Sequence, residues 1–521
     1  MNRSPVTFRE RLVHIRVPLC MACGFAMLAI PACESVDARP DFKQTEQRII
    51  ERLEAQEVYD PTGDAAVQQK VEALLADGLT LEESVQVALL NNRYFQSLFQ
   101  TIGASRADVV QSGLWTNPSL MIGTRLIEGG GRGELTFGFA QQLVDLWQIP
   151  VKKKIAEAKL EQTVLAVLNE AVRIAATTQS LYYDCLWRER LNVIANDNLA
   201  LAQQSLHLAQ VRLDAGETSP LDAGLVRSKV LQAENDALLA ARNLENARIA
   251  LAQNLGVVRW DDGWQLADAF ADDRYMVAPD EDLIATATVN RFDIQIADAQ
   301  VEAAAQDVDL QLMKVFPSLI VGVVGERTEQ RALPDRKILA DTARASIAAG
   351  RLTAPTIQSK GQRDVMRNQI IDALFGTTVQ LTLPLWDQNQ AQIAKANFVY
   401  EQLLKEREYL FDTVTADIRQ ASNNARTAQK QFALFESKIL PQAQENIQTA
   451  QRRYENGEES VLILIEAQDA MFVQKRQSAD ALRSMLVTRA SLTRACGGKL
   501  PDASMSGAAD SNSEMKVTAT N

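Results

Sequence analysis

The sequence predicts a mainly helical chain of long antiparallel hairpins that also carries four short β-strands, with the whole unit present twice. Three observations predict it. Residues 209–219 read AQVRLDAGETS and residues 450–460 read AQRRYENGEES, at a constant offset of 241. Two stretches, from Val151 to about Leu213 and from Gln388 to about Glu455, repeat apolar residues at helical spacing and contain between them only one proline, Pro441. Each long stretch follows a pair of short segments, and the second segment of each pair alternates apolar and polar side chains clearly.

The N-terminal segment reads as an export signal over residues 1–32. Arg3, Arg9, Arg11 and Arg16 precede an apolar run from Val17 to Ala32, opposed only by Glu10. A run of about 16 residues is short for a membrane-spanning helix and suits a signal core. It ends in Leu28-Ala29-Ile30-Pro31-Ala32-Cys33, a small residue directly before a cysteine, which resembles the bacterial lipobox and makes Cys33 the expected lipidation site. Pro31 is unusual in that pattern. Cys23 is the competing choice, with a very short apolar run before it, and an ordinary cleaved signal followed by a chance cysteine is the plainer alternative. Loss of 1–32 removes four basic and one acidic charge and takes the net charge from −12 to near −15. A chain this acidic does not suit a nucleic-acid partner, since phosphates need a basic face. Cys185 and Cys496 fit no disulfide framework and read as small buried hydrophobes.

Residues 33–78 form an anchor and linker segment. Leu79–Gly113 is helical in pattern, and candidate strands follow at 118–127 and 134–144. In the latter, Leu135, Phe137 and Phe139 alternate with Glu134, Thr136 and Gly138. Gly129-Gly130-Gly131 between them reads as a loop and not a phosphate cradle. The long helix from Val151 would span on the order of 95–100 Å. The turn around Gly216 then leads into a helix over Leu221–Leu255 that Gly256 closes. An equatorial connection is expected over 257–290.

The second copy repeats this plan, with a helix over Arg291–Lys314, strands at 317–326 and 376–386, the long stretch to Glu455, the turn around Gly457 and a final helix over Leu462–Cys496. Repeats are thus expected over 79–256 and 291–498, with a disordered tail over 499–521. Val379, Leu381, Leu383 and Leu385 alternate with Thr378, Gln380 and Thr382. Such a face fits a small soluble sheet with one buried side as well as a strand with lipid outside and water inside, and alternation alone does not choose between them.

At this point the residues resemble a known family. Leu79-Thr80-Leu81-Glu82-Glu83-Ser84, then Ala88-Leu89-Leu90-Asn91-Asn92, is similar to the opening of TolC-like outer-membrane efflux proteins. Ala107 to Leu120, with Asn117-Pro118-Ser119-Leu120, resembles the family's run into its first strand, and Leu383-Pro384-Leu385-Trp386-Asp387 its exit from the last. The duplicated Gly-x-x-Ser turns match its two helical hairpins. The resemblance covers about residues 79–498, and its opening and Asn-Pro motifs look most like the heavy-metal (Czc-type) branch.

The resemblance implies a lipid-anchored homotrimer in the outer membrane. It would have a twelve-stranded β-barrel above an α-helical barrel of coiled helices extending into the periplasm. Physics supports the oligomer separately, because four strands cannot close a barrel and an open edge cannot sit in lipid. The implied function is a passive exit duct of a tripartite efflux system, with a periplasmic adaptor (membrane fusion) protein and an inner-membrane transporter of RND type or similar as partners. No catalysis and no cofactor are implied. The alternative is a periplasmic coiled-coil adaptor or structural lipoprotein without a pore.

By the same resemblance, the hairpin turns dock the adaptor and constrict the tunnel. Arg212, Gly216, Ser219 and Leu221 pair with Arg453, Gly457, Ser460 and Leu462 in the second copy. Asp214, Asp222, Glu455 and Glu459, with Glu217 and Glu458, gather there; acidic rings in a narrow pore favour cations, and solvated helix-end carboxylates are the plainer alternative. His207 alone on a helix reads as structural, and no Cys or His pair has metal-ligand spacing. Residues 328–372, longer and more polar than a typical loop of the family, would form an extracellular excursion with Arg327, Arg331, Arg336, Lys337 and Arg351 in or beside it.

Overall fold

The computed structural model describes residues 35–76, 78–125, 134–257, 265–270, 275–329 and 371–501. The signal segment, Cys33, the Gly129–Gly131 loop, residues 330–370 of the expected excursion and the tail past Pro501 lie outside the described residues. In chain order the elements begin with α1 (Arg39–Leu53), α2 (Asp64–Ala76), α3 (Leu81–Asn91), α4 (Arg93–Gly113), β1 (Ser119–Arg125) and β2 (Glu134–Gln142). Then come α5 (Asp145–Asp214), α6 (Pro220–Leu255), α7 (Asp280–Asn290), α8 (Phe292–Met313), β3 (Leu319–Glu329) and β4 (Ile371–Leu381). The chain finishes with α9 (Gln390–Leu434), α10 (Leu440–Glu455) and α11 (Val461–Ala495).

The helical stretch expected over Leu79–Gly113 is two helices, and local chemistry explains the break. Thr80 and Glu83 form a capping box that starts α3: the Thr80 hydroxyl accepts from the Glu83 amide at 3.2 Å, and the Glu83 carboxylate accepts from the Thr80 amide at 2.9 Å. Asn92 then leaves the helical region (φ −65°, ψ 113°), and its side chain caps α4 by accepting from the Phe95 amide at 3.0 Å. The second copy breaks at Arg291 (φ −71°, ψ 125°), between α7 and α8, with the same backbone departure but no capping side-chain bond. Helix α7 falls within the segment expected as a connection.

The duplication is visible in how each copy closes. Gly256 (φ +72°) presses on the backbone at the α3–α4 break, where a Cβ would meet the Asn91 carbonyl oxygen at 2.3 Å. Gly497 (φ +82°) presses on the α7–α8 break, where a Cβ would meet the Asn290 carbonyl oxygen at 2.7 Å. Only glycine supplies both the left-handed conformation and the missing side chain. Asn91 adds bonds from its amide to the carbonyls of Leu255 (3.0 Å) and Gly256 (2.9 Å).

Helix α5 has 70 residues, about 105 Å at 1.5 Å per residue, and begins six residues before the expected Val151, running through Pro150. That proline lies in the second turn, where it forfeits a single helical bond near the helix end. Helices α4 and α6 stack end to end along α5, and α8 and α11 do the same along α9 and α10. Between α9 and α10 the chain forms one π-turn, Phe435–Ile439, just before Pro441. Proline cannot donate to the preceding turn and crowds its carbonyl, and a π-turn accommodates that without ending the helix.

The four strands form one antiparallel meander in the order β1-β2-β3-β4. Strand β4 spans Ile371–Leu381 where alternation alone suggests 376–386, so Leu383 and Leu385 lie past its end. Pro384 has no amide to give the ladder, and the last bond across this edge runs from the Thr382 amide to the Ser318 carbonyl at 3.2 Å. Register sorts the side chains: the pairs Ile122–Phe137–Gly325–Phe375 and Leu120–Phe139–Val323–Thr377 share one face, with Val321, Val379 and Leu381. The opposite face is mixed, with Gly123, Thr136, Gly138, Gly322, Gly376, Thr378 and Gln380 beside Met121, Ile320, Val324 and Leu374. No helix covers the apolar face: Leu120, Ile122, Phe375 and Val379 are each 68–70% exposed.

The largest core lies where α1, α3, α4 and α6 meet the middle of α5, around Phe95, Phe99, Leu168, Tyr182 and Leu251. Arg106 of α4 donates to the buried Asp41 of α1 at 2.6 Å, and the Tyr182 hydroxyl donates to Asp268 at 2.8 Å. Asp268 also accepts from the Leu81 amide at 2.8 Å, tying the connection to the start of α3. Cys185 and Cys496 are buried, and burial pushes both thiols up to about 12. No helix among the described residues is long and apolar enough to cross a membrane.

Candidate functional site: the paired hairpin turns

Both turns are built alike. At the end of α5 the chain enters the left-handed region at Gly216 (φ +76°), and the Glu217 amide reaches back to the Arg212 carbonyl at 2.8 Å. At the end of α10, Gly457 (φ +75°) does the same, and the Glu458 amide bonds the Arg453 carbonyl at 2.9 Å. This is the glycine-dependent C-terminal cap expected of helices that must stop sharply. Nothing lies within 4 Å of a Cβ at Gly216, so its backbone angle alone demands glycine there.

The restarts differ. Ser219 caps α6: its hydroxyl accepts from the Asp222 amide at 3.1 Å and donates to the Asp222 carboxylate at 2.8 Å. These bonds from Ser219, assisted by Thr218, hold the Asp222 carboxyl below its ordinary value. Ser460 occupies the matching position before α11 with no side-chain cap bond. Leu221 and Leu462 follow, 72% and 51% exposed.

Arg212 joins the turns to each other. Its guanidinium donates to the Tyr454 carbonyl at 2.7 Å, stands 4.9 Å from the Tyr454 ring centre, and lies 3.5 Å from the Glu217 carboxylate. Its counterpart Arg453 is more exposed and stays within its own turn, donating to Glu459 at 3.3 Å. Below the turns, Lys229 of α6 donates to Asp469 of α11 at 2.7 Å and Gln468 to Ser205 at 2.8 Å. Ala209, Val226, Ala450, Tyr454, Val461 and Leu464 pack between them.

The structure thus brings Arg212, Gly216, Ser219, Arg453, Gly457 and Ser460 to one end of the molecule. The acidic residues gather there but are not equivalent. Asp222 belongs to a cap, Glu459 receives Arg453, Glu455 accepts from the Gln451 side chain at 3.0 Å, and Asp214 ends α5 exposed. Tyr454 is the residue that sequence reasoning missed. The offset of 241 sets it against Leu213, one of five differences between the two eleven-residue segments and the only one that brings in an aromatic ring, which was the available signal. His207 is exposed on α5, and among the described residues no group of three or more His, Cys, Asp or Glu side chains converges as a metal site.

Comparison with known proteins agrees with this architecture. Residues 283–498 match the profile of the Outer membrane efflux protein family. Over 444 residues the chain is 22% identical to the pyoverdine export outer membrane protein OpmQ of Pseudomonas putida, covering 80% of this chain and 86% of that protein. It is also 22% identical over 405 residues to the cobalt-zinc-cadmium resistance protein CzcC of Cupriavidus metallidurans, covering 76% and 85%. The fold matches the solved structure of CusC with a TM-score of 0.63 at 16% identity, over 80% of this chain and 92% of that one. The second of the two repeats therefore carries the profile of the outer membrane efflux protein family, and the chain as a whole shares the fold and overall extent of the proteins it resembles.

Proposed function

We propose that three copies of this chain share one twelve-stranded barrel in the outer membrane and one helical tunnel below it. The assembly would be the passive exit duct of a tripartite efflux system. The sheet carries this reading: among the described residues no helix covers its apolar face, and its edges, β1 and β4, pair with no further strand. An open edge cannot remain in hydrocarbon, and a single four-stranded sheet cannot close, so neighbouring copies must pair β4 with β1. Acylation of Cys33 would anchor the same assembly to the membrane.

The paired turns would dock a periplasmic adaptor through Arg212, Gly216, Ser219, Leu221, Arg453, Gly457, Ser460 and Leu462, and an inner-membrane pump would drive the cargo. Asp214 and Glu455, exposed at the helix ends, with Asp222 and Glu459 beside them, would bias the entrance toward cations. The names of the similar proteins OpmQ (pyoverdine export) and CzcC (cobalt-zinc-cadmium resistance) suit export of a small solute or a metal cation. The test is the mass and conductance of protein extracted from outer membranes in detergent. An elongated particle of three chains that conducts ions in a planar bilayer is expected. A monomer that stays soluble without detergent after removal of its lipid would instead favour a pore-free structural lipoprotein.

A further inference from the structure

The antiparallel meander brings four strand–helix junctions to one end of the sheet: before β1, after β2, before β3 and after β4. Each junction carries an aromatic side chain. They are Trp115 (50% exposed), the half-buried Trp147, Phe316 (49%) and Trp386 (87%). The buried Asp145 carboxylate accepts from the Thr116 amide at 2.9 Å and so holds the first two junctions together. At the opposite end the strands turn charged, with Arg125 and Glu134 paired at 3.4 Å and Arg327 close by. Between these limits, from Leu319 to Arg327, β3 runs eight steps, about 27 Å along the strand and about 20 Å along the normal at a tilt of ~40°. That is close to the apolar height of an outer-membrane barrel, about 25 Å.

Five to seven residues past Trp147, about 8–10 Å along the axis, α5 carries Lys152, Lys153 and Lys154 in succession. They lie in the third turn of α5, and three adjacent cations repel one another. Lys152 lies 3.8 Å from Asp145. Lys153, its stem beside Gly113 two residues before Trp115, and Lys154 are exposed and have no ion pair among the described residues. Two exposed ammonium groups without ion pairs, about 8–10 Å beyond the aromatic level, suit a layer of anionic headgroups.

We propose that the four junction aromatics mark the periplasmic membrane interface and that Lys153 and Lys154 bind anionic phospholipid headgroups of that leaflet. The inference rests on the outer-membrane reading above, and two measurements separate their failures. In vesicles of brominated-chain lipid, the tryptophan fluorescence of the full-length assembly is quenched in part. Trp386→Phe removes part of the quenchable signal, whereas Trp187→Phe, on the helical body, does not. No quenching at all would overturn the membrane reading itself.

The second measurement is retention of phosphatidylglycerol against phosphatidylethanolamine by the intact assembly during native mass spectrometry. The wild type retains phosphatidylglycerol preferentially. Lys153→Gln with Lys154→Gln lowers that retention by about fivefold per lysine, with assembly mass and tryptophan quenching unchanged. Equal retention of the two lipids by the wild type, or an unchanged preference in the double variant, would overturn the lysine assignment while leaving the membrane reading intact. Loss of adaptor capture with no change in lipid retention would assign the lysines to a protein partner and overturn the lipid site.

Discussion

Replacing Arg212 with alanine should uncouple the two hairpin turns. The guanidinium makes a 2.7 Å bond to the Tyr454 carbonyl and stacks at 4.9 Å from the ring, and its side chain is only 18% exposed. A charge-assisted bond contributes about 1.5–3 kcal/mol. A cation over an aromatic ring adds about 0.5–1 kcal/mol. Together these predict a loss of roughly 2–4 kcal/mol between α5 and α10, a factor of at least about thirty in local opening. Hydrogen exchange reads this directly at the Gly457 and Glu458 amides, which bond the carbonyls of Tyr454 and Arg453. Both should exchange at least about thirtyfold faster in Arg212→Ala, while the strand amides stay protected. Combining Arg212→Ala with Tyr454→Leu, which installs the residue type of the first turn and keeps the carbonyl, should give a non-additivity of about 0.5–1 kcal/mol, the stacking part alone. Unchanged protection at the second turn, or full additivity, would refute the coupling.

Three further outcomes follow from the same coordinates. Gly256→Ala must adopt φ near +72° and place a carbon 2.3 Å from the Asn91 carbonyl, so it should destabilise by about 2–5 kcal/mol; Gly216→Ala meets open space and should lose only about 1–2 kcal/mol, as thermal inactivation rates will show. Val379→Arg on the apolar sheet face should cost about 2–4 kcal/mol and reduce the assembled fraction in membrane extracts, whereas Gln380→Arg on the other face should assemble normally. The Asp222 carboxyl is held low mainly by the Ser219 hydroxyl, so its contribution to the α6 cap is present above the ordinary carboxylate range and fades as pH falls through its lowered value. Exchange of the first-turn amides of α6 should therefore accelerate on acidification, and Asp222→Asn should abolish that acid dependence.

Much of this molecule was legible in the sequence because its signals are local. The turns at Gly216 and Gly457 require a left-handed residue followed by a helix start, and both carry a glycine and a serine at fixed spacing. The helix boundaries at Leu255 and Ala495 follow from the glycine just beyond Leu255 and from the repeat offset. Where the reading slipped, a non-local partner decided. Alternation continues past Leu381 to Leu385, but a strand exists only where a neighbour pairs with it, and β3 pairs with Ile371–Leu381. The break at Arg291 has no capping side chain of its own and coincides with the backbone of Gly497, two hundred residues away in sequence.

The sequence by itself determined the duplication, the long helices, the caps of the hairpin turns and the presence of amphipathic strands. The duplication shows as a constant offset of 241 residues, and each of the others rests on a periodicity or spacing within a few tens of residues. Tertiary structure decided which face of the sheet stays uncovered, which strands are edges, and that Arg212 but not Arg453 bridges the turns. Those outcomes depend on which segments meet in space, and Arg212 and Arg453, occupying the same place in the repeat, part ways because one faces Tyr454 across the interface between hairpins and the other faces its own turn.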